Sequence, residues 1–117
     1  MKSKVSYIET ADRTYPICFN LNVLEEIQDE YGCMKNWGEA VQPPDNSEPT
    51  MKVLKYGLCA MINEAIDIEN EQNGRNDAPV TSKQVGRIVS EIGLNVIVEK
   101  IVELTVSANK VGDEKNE

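Results

Sequence analysis

The sequence predicts an α+β fold, mainly α, with an N-terminal β-hairpin packed on a small bundle of about four helices. Three observations predict it. Apolar and polar residues alternate loosely over residues 4–19, the period of half-buried strands. Beyond Asn20, apolar residues recur every three or four positions, the period of amphipathic helices. The chain has 117 residues, a length that fits one domain and buries about two thirds of the unfolded surface in one core.

The elements follow in order. Residues 4–9, Lys-Val-Ser-Tyr-Ile-Glu, and residues 14–19, Thr-Tyr-Pro-Ile-Cys-Phe, are joined by the polar turn Thr10-Ala-Asp-Arg13. Together they form a hairpin at 4–19, with Tyr15, Ile17 and Phe19 on one face. Pro16 has no N–H for a ladder, so its strand lies at an edge or pairs on one side only. A lone hairpin is marginal in water and needs a helix on its apolar face.

That helix spans about 22–31. Asn20 or Asn22 can cap it, Val23, Leu24, Ile27 and Tyr31 share one face, and Gly32 stands where a left-handed C-terminal residue belongs. A short helical turn at Trp37–Val41 precedes the loop Pro43-Pro-Asp-Asn-Ser-Glu-Pro49. A long helix, about 50–71, carries Met51, Leu54, Leu58, Met61, Ile62, Ala65 and Ile66, with Glu64, Asp67 and Glu71 pointing away. Residues 73–79 form an exposed loop.

Thr81-Ser-Lys-Gln84 has the form of a capping box and opens a helix over 82–92, which Gly93 breaks. The last helix, 94–109, is apolar over an arc of about 200°, about twice what one-sided docking requires. Its stripe is Leu94, Ile97, Val98, Ile101, Val102, Leu104, Val106 and Ala108. The excess is either buried between two elements of the same chain or offered to another subunit or partner. Residues 1–110 thus form a single domain, and 111–117 a disordered acidic tail.

Composition narrows the chemistry. There is no histidine, so the usual proton shuttle and commonest metal ligand at neutral pH are missing. That excludes most hydrolytic triads and zinc sites. Cys18, Cys33 and Cys59 lack CxxC spacing and lie in or beside apolar segments, as buried reduced thiols do. No glycine-rich phosphate loop, GxSxG elbow or EF-hand spacing occurs. Glu25, Glu26, Asp29 and Glu30 cluster at helical spacing, a pattern that reads as a solvated acidic face before an acid–base or metal cluster.

No catalytic, metal or cofactor-binding residue emerges. The expectation is a non-enzymatic protein without a cofactor, in the binding or assembly class.

The net charge is −8, with 12 basic residues scattered among 20 acidic ones. This argues against nucleic acid and against anionic membrane surfaces. No apolar run approaches the ~20 residues of a membrane span, and no apolar core follows the N-terminal lysines as in a signal peptide. A cytosolic location is expected. The candidate partner or self-association surface comprises Ile97, Ile101, Leu104 and Val106 of the last helix. Trp37 joins it as an anchor, although a lone tryptophan beside a helix end is more often a core plug.

The string Tyr15-Pro-Ile-Cys-Phe-Asn-Leu-Asn-Val-Leu-Glu-Glu-Ile-Gln-Asp-Glu-Tyr-Gly32, followed by Trp37, resembles the N-terminal region of a phage family. These are the tail assembly chaperones of long-tailed (siphovirus-type) bacteriophages and prophages of Gram-positive bacteria. The resemblance is clearest over 14–38 and is supported by element order through residue 109.

It implies a small, mostly helical chaperone that binds the tape measure protein, a long coiled coil, and keeps it soluble while the tail tube assembles around it. It also implies self-association into a ring or spiral, contact with the tail tube protein, and residence in the bacterial cytoplasm but not in the mature virion. A frameshift-extended product would fit slippage at Lys115-Asn116, since Glu-Lys-Asn can be encoded with the string A-AAA-AAC. The competing expectations are another phage structural or connector component, and an acidic regulatory or inhibitory interaction module.

Overall fold

The computed structural model describes the backbone of residues 5–115 and the side chains through Ala108. Its two strands are β1 (Ser6–Glu9) and β2 (Thr14–Ile17), and its five helices are α1 (Leu21–Tyr31), α2 (Met34–Val41), α3 (Met51–Asn73), α4 (Ser82–Ile92) and α5 (Leu94–Lys115). The fold is α+β and mainly α, as the patterns predicted. The helices number five because residues 34–41 form a full helix rather than a short turn.

The strands pair antiparallel with Ser6 opposite Ile17, Tyr7 opposite Pro16, Ile8 opposite Tyr15 and Glu9 opposite Thr14. Ile8, Tyr15 and Ile17 are buried. They lie on one face of the hairpin, which β2 presses onto α3. The Cys18 N–H donates to the Met61 carbonyl at 3.3 Å and fastens the end of β2 to that helix.

Asn20, one of the two possible caps, closes the start of α1: its Oδ1 accepts from the N–H groups of Asn22 and Val23. The amide groups of Asn20 and Asn22 both donate to Glu64 Oε2, at 2.8 and 2.9 Å. Glu64 therefore does not point away from the core as predicted; it is half-buried and ties α3 to the start of α1. Met51, placed on the buried stripe, is exposed at the first position of α3.

α3 is the central element, with α1, α2, α4 and β2 all packed on it. Leu54, Leu58, Met61, Ile62, Ala65 and Ile66 are buried along it. The loop after α3 returns to its flank through Asn63, whose Oδ1 accepts from Val80 N–H at 2.7 Å and whose Nδ2 donates to Val80 O at 3.2 Å. Thr81 and Gln84 then form the predicted capping box. Gly93, with φ +105°, turns the chain where an L side chain would be strained and separates α4 from α5.

The core runs from Ile8 to Leu104 as one cluster. The backbone of α5 continues to Lys115, past the predicted end at 109, so 111–115 is helical where an unstructured tail was expected. Residues 1–4 and 116–117, including Asn116 of the expected slippage site, lie outside the described residues.

Candidate functional site

The five residues predicted to form a contact surface do not form one. Trp37, Ile97, Ile101 and Leu104 are all buried in the core, and of the five only Val106 is exposed. The physical reason is the width of the apolar arc on α5. Ile97, Ile101 and Leu104 occupy its inward sector, and the surplus falls on the adjoining flank.

That flank carries Val102 and Val106, 39% and 56% exposed. They stand one helical turn apart, with half-buried Val98 one turn before them. On this helix buried positions recur every three or four residues, so Ile101 is 2% exposed while its neighbour Val102 projects to solvent. Of the two possibilities for the excess, the inner half is core and the outer half is surface.

Trp37 is a core plug. Its ring lies against α3, and its Nε1–H donates to the Val53 carbonyl at 2.9 Å, so the one polar atom of a buried indole is paired.

The acidic face is where periodicity placed it: Glu25, Glu26, Asp29 and Glu30 are exposed on α1. No group of His, Cys, Asp or Glu among the described residues could hold a metal ion. The basic residues are less scattered than the sequence suggests. Lys55 of α3 joins Lys83 and Arg87 of α4 around Gly86, in a shallow depression of about 760 Å³ that Ser90 and the Glu91 carboxylate also line. The ion pairs among the described residues are those of Arg75 with Glu69 and Asp77, so these three cations have no ion-pair partner there. The Lys83/Arg87 spacing of one turn was visible in the sequence; the approach of Lys55 from another helix was not.

The thiols follow the predicted pattern in part. Cys18 is fully buried and Cys33 and Cys59 are half-buried. Burial, and secondarily the Glu64 carboxylate, pushes the Cys18 thiol up to about 12. Burial, then Glu26, raises Cys59 as well. Such thiols stay protonated at neutral pH and are poor nucleophiles.

Among the described residues, no helix is long and apolar enough to cross a membrane. Fold and surface define a small, mainly helical protein with an apolar helix flank, an acidic helix face and a compact basic cluster. Compared with protein-family models, curated proteins and solved structures, the chain matches none.

Proposed function

We propose that this chain is a tail assembly chaperone of a long-tailed phage or prophage. In that role it binds the tape measure protein in the bacterial cytoplasm, keeps it soluble and promotes assembly of the tail tube around it, with no catalytic step. The reading is supported first by the resemblance of residues 14–38. The structural observation that carries it furthest is the exposed flank of α5, where Val102 and Val106 lie beside the core sector without belonging to it.

A helical partner laid along this flank would cover apolar surface at about 25 cal/mol per Å² and meet both valines at one-turn spacing. The net charge of −8 would help keep a complex with an aggregation-prone coiled coil in solution.

The test is co-expression with the product of the long, heptad-rich reading frame downstream of this gene. The expected result is a soluble complex that depends on this chain and weakens for Val102→Lys and Val106→Lys together. A partner that stays insoluble regardless, or no such reading frame, overturns the reading.

The exposed acidic face of α1 favours a second reading, an acidic module that binds a basic surface of another protein. It would give a one-to-one complex indifferent to the α5 changes and lost when Glu26 and Glu30 are replaced by Lys. A connector component, unlike either, would copurify with finished particles.

A further inference from the structure

The two long edges of the hairpin are treated differently. In an antiparallel ladder, opposed residues alternate between hydrogen-bonded and non-hydrogen-bonded pairs. Thr10 N–H donates to Arg13 O at 2.9 Å, which fixes the phase. Ile8 with Tyr15 and Ser6 with Ile17 are then the hydrogen-bonded pairs. Tyr7 with Pro16 and Glu9 with Thr14 are the others, as Pro16 requires.

The outer edge of β2 cannot continue a ladder past Thr14, since Pro16 has no N–H to offer and Cys18 N–H is engaged by Met61. The outer edge of β1 is open. The N–H and C=O of Tyr7 and Glu9 point away from β2, and no hydrogen bond to them is formed among the described residues. Natural sheets commonly blunt such an edge with charges, a bulge or a cover; β1 carries one charged side chain, Glu9.

Beside this edge lies a groove of about 250 Å³ between β1 and α5, floored by Ile8, Ile92 and Ile97. Tyr7 and Val96 on its walls are 50% and 53% exposed. Glu9 and Lys100 also line it, giving one carboxylate and one ammonium.

We propose that the β1 edge is a strand-pairing site for a second copy of this chain, joined edge to edge into a four-stranded antiparallel sheet. The site is its own complement. With the two-fold axis at Ile8, Tyr7 N–H meets the Glu9 carbonyl of the second copy and Glu9 N–H meets its Tyr7 carbonyl, and the relation repeats across the axis. Every outward group of Tyr7 and Glu9 then has a partner, and the groove walls of the two copies come together with balanced charge. This inference stands on the hairpin edge alone and does not rest on the function proposed above.

Sedimentation equilibrium with amide hydrogen exchange tests it. The wild-type chain is expected to dimerise. The Tyr7 and Glu9 amides should be protected at high concentration and unprotected on dilution, while the Ile8 amide stays protected throughout. Tyr7→Pro removes the outward N–H together with the phenol that donates to Glu69 Oε2, but no hydrogen bond between β1 and β2. The hairpin should therefore persist with Ile8 still protected, and the dimer dissociation constant should rise about tenfold or more. Val96→Lys, on the exposed groove wall, should weaken the dimer in the same direction and leaves folding intact should the proline not.

A wild-type chain that stays monomeric overturns the proposal. So does protection of Tyr7 and Glu9 that is independent of concentration, or a dimer that both variants leave unweakened. The last result would place self-association on another surface, such as α5, without touching the chaperone reading.

Discussion

The indole of Trp37 on α2 fills the space that a side chain at Gly57 of α3 would take. A Cβ built on Gly57 would stand 2.1 Å from Trp37 Cζ2 and 2.5 Å from Cε2. The indole thus rests directly on the backbone of α3, and Trp37 Nε1–H reaches the Val53 carbonyl one turn back. Gly57 costs the helix about 1 kcal/mol in propensity relative to alanine, and the close approach of the ring offsets that cost.

Gly57→Ala should therefore destabilise the protein by about 1–3 kcal/mol through overpacking, despite the better helix former. Trp37→Phe alone should cost a comparable amount by loss of volume and of the hydrogen bond. Urea unfolding of both single variants and the double variant gives the coupling. The double variant should be clearly less destabilised than the sum, because the smaller ring makes room for the methyl group. Strict additivity would mean that the two residues do not meet as described.

Asn63 supports a second prediction. It bonds both backbone groups of Val80 and so holds the loop between α3 and α4 on the side of α3. Removing the amide strands the Val80 N–H and leaves its carbonyl only the weak Cys59 thiol donor, which costs about 1–3 kcal/mol. Asn63→Ala should lower the thermal midpoint by several degrees, and Asn63→Asp, which keeps only the acceptor, should fall between. If local opening rather than global stability is affected, the Val80 amide will lose exchange protection first.

These two relationships mark where the sequence stops being legible. The hairpin, the cap at Asn20, the Thr81–Gln84 box and the stripes of α1, α3 and α4 follow from short-range pattern, because each depends on residues within a turn or two. Short-range pattern gives Gly57 and Asn63 no role, since their partners, Trp37 and Val80, lie outside α3. The same holds for Glu64, which periodicity points outward and Asn20 and Asn22 hold in place, and for Lys55 beside Lys83 and Arg87. On α5 the width of the apolar arc was visible, but arc width does not say which sector faces inward. That choice is made by where Gly93 aims the helix against α4 and the hairpin.

The thiols give a pH prediction. The folded Cys18 thiol titrates at about 12, above its ordinary value of 9.0. A raised folded value contributes stability that is complete below the unfolded value and is lost as pH rises toward the folded one. Stability should thus decline from about pH 9 to pH 12, as ionisation of the unfolded thiol draws the chain open. Cys59, Tyr7, Tyr31 and Tyr56 are shifted the same way, so the Cys18 share is the difference between wild type and Cys18→Ala across that range. At pH 8, iodoacetamide followed by mass spectrometry should modify Cys18 last. Early alkylation of Cys18 would mean that the β2–α3 junction opens readily.

The two faces of α5 make the final prediction, and function depends on it. Ile101 is buried against the core and Val106, little more than one turn later, is mostly in solvent. Ile101→Ala should cost about 2–5 kcal/mol, as large-to-small changes in packed cores do. Val106→Ala should lie within about 0.5 kcal/mol of wild type, and Val102→Ala only slightly beyond. Partner binding should reverse the ranking: at temperatures where both variants are folded, the Val102 and Val106 changes should weaken a complex on this flank more than the Ile101 change does. A Val106 variant that unfolds like Ile101→Ala would show that the outer flank of α5 is already covered within the free protein, and the surplus apolar surface would then need no partner.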